Sequence, residues 1–175
     1  MTQESNATRG LLERLRLRNE ADADHGDQEL QPANLESLEL MTLSGKIRQL
    51  SPMLMERFKF CGRWNNANLD QDWLSVSDAA NIGGDATAQE WIALRIENWD
   101  HCPPANVSKD DVALFGFNPY EPEETYVVWR TGQAEPEVWR FFGADYKNFR
   151  NLNRFLEYLV GDRTVDDSGR MPAIP

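Results

Sequence analysis

The side chains most suited to chemistry in this sequence are two histidines and two cysteines. Only His101 and Cys102 are neighbours, and a thiol beside an imidazole is a common source of a cysteine nucleophile. Successive residues of a strand point to opposite faces, so this spacing does not bring the two groups within hydrogen-bonding reach. His25 lies in a polar stretch without a thiol near it. The sequence therefore predicts no catalytic residue of this type.

Metal and nucleotide sites are not predicted either. Cys102 and His101 have no companions at the C-x-x-C or H-x-x-x-H spacing that metal sites use. The Gly83-Gly84 pair lacks the Lys and Ser or Thr that complete a phosphate-binding loop, and it lacks the G-x-G-x-x-G pattern of a dinucleotide site. Glycine pairs of this kind are typical of turns. We therefore expect no metal and no cofactor.

Carboxylates are the abundant reactive group, with 29 Asp and Glu against 18 Lys and Arg and a net charge of -11. Two suitably placed carboxylates are enough for a glycosidase, so a small carboxylate-dependent hydrolase is one hypothesis. The same charge repels nucleic acid and anionic lipid and attracts basic surfaces. It favours a protein partner with a basic surface and argues against direct binding of nucleic acid or a membrane.

An acidic run around Pro122 is the first candidate for such a contact. Glu121, Glu123 and Glu124 fall between two predicted strands, and Tyr120 precedes them. Connections on a rigid scaffold often carry recognition, so these four residues are predicted to form a patch for a basic partner. The alternative is that the acids are simply solvated in an exposed connection.

Two tryptophans on neighbouring predicted strands are the second candidate. Trp129 and Trp139 have the placement of a cross-strand aromatic pair, which suits a partner-binding surface. Large aromatic side chains also fill the interiors of small domains, so core packing is the alternative for both.

The elements that position these residues divide the chain in three. Residues 1–33 are almost free of aromatic residues and predict a flexible polar arm with a short amphipathic helix. The folded body is predicted over 34–162 and a loose tail over 163–175. A helix is expected after Asn34 and a second from Ser51-Pro52 to about Gly62, because serine caps helices and proline suits their first position.

The later elements carry clearer patterns. WLSV at 73–76 resembles a strand and IGGD at 82–85 a turn, while the stretch 65–104 as a whole has no settled assignment. Three short apolar runs, 112–117, 125–130 and 137–142, predict an antiparallel meander. Phe155, Leu156 and Leu159 belong to a helical repeat that ends near Gly161. The predicted fold is α+β, a single domain with a sheet meander packed with N-terminal helices and a C-terminal helix.

Bulk composition agrees with one domain. The chain has 175 residues, 41% of them hydrophobic, with a mean hydropathy of -0.62. A domain of this length buries most of its apolar surface without cross-links. Two cysteines, no leader-like apolar segment and no run of about 20 apolar residues lead us to expect reduced thiols and a cytoplasmic location.

Two stretches resemble one protein family. IRQLSPMLMERFKFCGRW at 47–64 is similar to the N-terminal signature of the SUKH superfamily, and 112–161 is similar to its C-terminal half, with Phe155, Leu156 and Leu159 in the last helix. That superfamily includes a yeast regulator of cell-wall synthesis and bacterial immunity proteins that neutralise polymorphic toxins, often nucleases. The resemblance implies an α+β binding module.

Resemblance and charge together predict a function. We expect a non-catalytic immunity protein that neutralises a toxin by covering a basic surface, with a carboxylate-dependent hydrolase and a regulatory scaffold of the cell-wall-synthesis type as alternatives. The predicted contact residues are Tyr120, Glu121, Glu123, Glu124, Trp129 and Trp139.

Overall fold

The structure, a computed structural model, describes residues 3–35, 37–98 and 107–161. The predicted tail 163–175 and the His101-Cys102 pair lie outside them. Within these ranges, helices and antiparallel strands surround one hydrophobic core, which confirms the α+β single-domain prediction. The helices are α1 (Gln3–Ala21), α2 (Pro52–Phe60), α3 (Val76–Ala80), α4 (Ala86–Glu97) and α5 (Leu152–Leu159). The strands are β1 (Glu29–Leu30), β2 (Glu39–Met41), β3 (Ile47–Gln49), β4 (Trp64–Asn68), β5 (Gln71–Trp73), β6 (Val112–Phe117), β7 (Glu124–Val128), β8 (Glu137–Phe142) and β9 (Asp145–Phe149).

Seven strands form the main sheet, in the order β1-β4-β5-β6-β7-β8-β9, and each neighbouring pair is antiparallel. The predicted meander is present as β6, β7 and β8, and β9 adds a fourth consecutive strand. Tyr126 of β7 lies opposite Trp139 of β8, which places both side chains on one face of the sheet. Thr125 lies opposite Arg140 on the other face. This alternation decides where each candidate residue points.

Helix α2 follows from local signals and confirms the prediction. The Ser51 side chain accepts a hydrogen bond from the Leu54 amide, Pro52 opens the helix, and Cys61 ends it. Gly62 follows where the chain passes close to another segment. A Cβ on Gly62 would lie 2.7 Å from the Pro32 carbonyl oxygen, so only glycine fits there without a shift.

The N-terminal segment corrects an expectation. Residues 1–33 were predicted to be a flexible arm, but α1 packs against α2 and α5 and contributes Leu11, Leu12 and Leu15 to the core. The Thr8 hydroxyl donates to the Asn153 side chain of α5 at 2.7 Å. A short amphipathic helix is marginal in isolation, and here the tertiary contacts of its apolar stripe stabilise it.

Replacing Leu12 with alanine should therefore lower the free energy of unfolding by about 2–5 kcal/mol, because it opens a cavity in a packed core. Leu12 is fully buried (0% exposed), whereas Leu17 on the same helix is 50% exposed. Leu17→Ala is the matched control and should change stability by about 0.5 kcal/mol or less. Urea unfolding followed by tryptophan fluorescence measures both. Equal effects would show that α1 does not dock as described.

The segment after Asn34 is a second correction. A helix was predicted there, but β2 and β3 form a hairpin with Glu39 opposite Gln49. Gly45 has φ +83°, the left-handed conformation that a tight turn needs and that glycine adopts readily. Within β2, Glu39 is exposed, Leu40 is buried and Met41 is partly exposed, so burial changes from one residue to the next as it does in a strand.

The middle of the chain also becomes clear. Of the predicted strand at 73–76, only Trp73 lies in a strand, because Ser75 caps α3 and makes a capping box with Asp78. The expected turn at 82–85 is a 3-10 helix over Ile82–Gly84. Helix α4 then begins after Asp85, whose side chain accepts from the Ala88 amide. No helix among the described residues is long and apolar enough to cross a membrane.

Candidate functional site

The turn between β6 and β7 carries three of the six predicted contact residues, Tyr120, Glu121 and Glu123, and Glu124 follows as the first residue of β7. Its backbone is fixed by hydrogen bonds from the Asn118 amide to the Glu123 carbonyl at 2.8 Å and from the Glu123 amide to the Glu121 carbonyl at 2.7 Å. The Asn118 side chain accepts from the Tyr120 amide at 2.8 Å, closing a local turn. Tyr120 is 81% exposed at the tip, and Glu121 beside it is exposed. The turn therefore presents an aromatic ring and a carboxylate from a rigid frame.

The two remaining acids, at the end of the turn and the start of β7, point to opposite faces of the sheet. Because side chains alternate along a strand, Glu123 lies on the face of Arg140, and Glu124 lies on the face of Tyr126. Glu123 is 3.8 Å from the Arg140 guanidinium and partly exposed. Glu124 is fully buried (0% exposed), so the expectation that it lies in an exposed patch is wrong.

Glu124 forms a buried ion pair with Arg95 of α4. The Arg95 Nη2 donates to Glu124 Oε2 at 2.9 Å and to the Gly143 carbonyl at 2.8 Å, and the guanidinium lies 4.0 Å from the centre of the Phe141 ring. Burial raises the pKa of Glu124, and Arg95 opposes that rise. Burial also raises the pKa of Tyr126, with the Glu124 charge adding to the effect. The pair ties α4 to the end of the sheet.

Two further contacts hold the turn in place, one from α4 and one from the residue that follows β8. The Trp91 indole donates to the Asn118 carbonyl at 3.0 Å, and the Gly143 amide donates to the Pro122 carbonyl at 3.1 Å. On the outer side of α4, the exposed residues recur at i, i+4 and i+7, which is one face of a helix. We call the combined surface the acidic face. Its exposed side chains are Glu90, Leu94 and Glu97 of α4 with Tyr120 and Glu121 of the turn.

The two tryptophans are not part of the acidic face. Trp139 is 6% exposed, stacks on Tyr146 at 5.3 Å between ring centroids, and donates its indole N–H to Glu137 at 2.8 Å. Trp129 is half-buried and packs against the core just after β7. Both positions fit the packing alternative better than a contact role, because a ring held inside the protein presents little surface to a partner.

A pair of carboxylates, which the hydrolase hypothesis requires, lines a cleft of about 230 Å³ in the described part of the chain, where Asp78 and Asp85 both contribute to the wall. Each of them caps a helix: Asp78 accepts from the Ser75 amide and hydroxyl, and Asp85 accepts from the Ala88 amide. Both carboxylates are thus already used as hydrogen-bond acceptors at helix starts, which accounts for their placement without a catalytic role. Glu124 has the raised pKa of a general acid, but it is buried against Arg95 and is not open to a substrate.

The described part of the chain holds no group of three or more His, Cys, Asp or Glu placed to bind a metal. Cys61 is a buried free thiol whose pKa burial raises, which makes it a poor nucleophile.

The buried arginines that organise this region were not predicted from the sequence. Arg95 was overlooked because its helix had no assignment, and Arg140 was overlooked although it interrupts the apolar run VWRFF of β8. A lone arginine inside such a run is a usable signal, since a charge at an inward position needs a partner. No family model, no curated protein and no solved structure matches the chain.

Proposed function

We propose that this protein is a non-catalytic protein-binding module, an immunity-type protein that neutralises a toxin by covering a basic surface of it in the cytoplasm. The observation that carries the proposal is the rigid turn at the tip of the acidic face, with Tyr120 at 81% exposure beside Glu121. A large aromatic side chain exposed on a fixed backbone loses little conformational freedom on binding. Tyrosine is for this reason enriched among the residues that contribute most to interfaces.

Charge gives the proposed partner its chemistry. The chain carries a net charge of -11, and the exposed acids of α4 extend the acidic face beyond the turn. An acidic surface speeds encounter with a basic partner and does so less as salt rises, because the screening length is about 10 Å at 0.1 M ionic strength. The resemblance of 47–64 and 112–161 to the SUKH superfamily supports the same class of function.

The test is affinity capture from a lysate of the source organism at low and at high salt, followed by measurement of binding to the purified partner. We expect a basic toxin domain that is retained at low salt, released at high salt and inhibited by an equimolar amount of this protein. Tyr120→Ala should weaken binding about 30-fold, since residues of this kind contribute about 2 kcal/mol. Glu121→Lys should mainly slow association.

Glu39→Lys is the matched control for the charge reversal, because Glu39 is exposed on the β2–β3 hairpin, away from the acidic face. It should leave the affinity within a few-fold of the wild type. A partner without toxic activity contradicts the immunity proposal. Equal binding by the wild type, Tyr120→Ala and Glu121→Lys contradicts the assignment of the acidic face.

A further inference from the structure

A cavity of about 330 Å³ lies between α1, α5 and the face of the sheet that carries Arg140. It is on the opposite face of the sheet from α4, because Arg140 of its wall pairs with Thr125 and not with Tyr126. The volume is at the lower end of the range for small-molecule sites. The polar side chains of its wall are Arg18, Asn19, His25, Asn68, Arg140 and Tyr158, and Asp22 is the acid among them.

Arg140 is the most unusual group in this wall. It is 3% exposed, and its Nε and Nη2 atoms donate no hydrogen bond to the described residues. The Glu123 carboxylate is 3.8 Å from Nη2, beyond hydrogen-bonding distance, and the Phe142 ring lies 4.2 Å from the guanidinium. Burial lowers the pKa of Arg140, which reflects a charge without full compensation. A buried guanidinium in this state favours the arrival of an anion.

Other groups around the cavity are donors with spare capacity. Asn68 Nδ2 is buried without a partner among the described residues. The Tyr158 oxygen accepts from Lys147 Nζ at 2.8 Å, which leaves its own O–H to donate elsewhere. His25 Nδ1 is 2.8 Å from the Gly26 carbonyl, and its Nε2 makes no hydrogen bond within the described residues, so it is a further polar atom without a partner.

We infer that this cavity binds a small oxyanion, a compact molecule with a phosphate or carboxylate group, held by the Arg140 guanidinium with help from Asn68 and Tyr158. The rim contains both signs of charge. Arg18 adds to the attraction, whereas Asp22 opposes it. The inference does not depend on the proposed function, since the cavity and the acidic face are on different sides of the sheet.

The experiment titrates the full chain with inorganic phosphate, malonate and AMP in separate arms, by NMR with observation of the arginine Nε–H signals and by calorimetry. We expect one-to-one saturable binding of at least one probe, with a shift of the Arg140 Nε–H signal. Phosphate and AMP binding without malonate binding assigns a phosphate group, and the reverse assigns a carboxylate. Arg140→Lys keeps the charge but loses the planar fork and should weaken binding about tenfold or more.

Because Arg140 is buried, a surface pair tests the site without risk to folding. Asp22→Asn removes the opposing charge at the rim and should tighten binding several-fold, while Glu90→Gln makes the same charge change on the exposed side of α4 and should leave it unchanged. Failure of all three probes to bind at concentrations up to about 10 mM would show a cavity filled by water only and overturn the inference. Equal tightening by the two variants would overturn it as well.

Discussion

Arg95→Met is expected to lower the free energy of unfolding by about 3–5 kcal/mol near neutral pH, because it leaves the Glu124 carboxylate buried without its partner. Both side chains are almost fully removed from water, at 5% and 0% exposure, and the two charges meet at 2.9 Å. Methionine fills a similar volume, so the loss reflects the unpaired charge more than a cavity.

The free energy of unfolding that Arg95→Met loses should depend on pH in a defined direction. Burial raises the pKa of Glu124 in the folded protein, and a raised carboxyl pKa means that stability is greatest when the group is protonated and falls as pH rises through the folded value. Without Arg95 to oppose it, the rise in pKa becomes larger. The stability difference between variant and wild type should therefore shrink as pH falls from neutral toward about 4.3, the ordinary glutamate value.

Urea unfolding at several pH values measures both effects. Arg130→Met is the matched control, since Arg130 pairs with Glu137 at 3.2 Å in a half-exposed position and should lose about 1 kcal/mol or less. The double variant Arg95→Met with Glu124→Leu should recover most of the stability, because it removes both buried charges. If Arg95→Met loses the same free energy of unfolding at every pH, the unpaired Glu124 carboxylate is not the cause of the loss.

Arg57→Met is expected to have a similarly large effect, a loss of about 3–5 kcal/mol, for a different reason. The Arg57 guanidinium is fully buried and donates to the backbone carbonyls of Cys61 at 2.8 Å, Gly62 at 3.1 Å and Leu74 at 3.4 Å. It lies 5.6 Å from the Trp73 ring centroid, within the range of a cation–π contact. One side chain thus holds the end of α2 against the end of β5.

Removal of these donors leaves buried carbonyl oxygens with fewer hydrogen bonds, and methionine offers none in return. Lys46→Met on the β2–β3 hairpin is the control, because Lys46 is exposed and its ion-pair partner Asp110 is itself partly exposed. Thermal unfolding by circular dichroism compares the two. Near-equal melting temperatures would show that backbone and aromatic contacts at Arg57 contribute little to stability.

The sequence by itself determined the elements whose signals are local. The start of α2 follows from Ser51 and Pro52, and the chain leaves the helix just before Gly62. Capping and proline geometry depend on adjacent residues, so the sequence predicts them. The meander and α5 followed from apolar periodicity, and Gly161, with φ +79°, follows the end of α5 as expected. At the candidate site, the exposure of Tyr120 and Glu121 followed from their position between two strands.

The tertiary structure alone decided what depends on distant partners. The apolar side chains of α1 are part of the core only because α1 packs against α2 and α5. The segment after Asn34 forms a hairpin, although the spacing of its leucines also fits a helix. Side-chain alternation sends the neighbouring acids Glu123 and Glu124 to opposite faces, but only the pairing of β7 with β8 decided which of the two faces each acid occupies. Buried charges find their partners through such long-range packing, which the order of residues along the chain does not display.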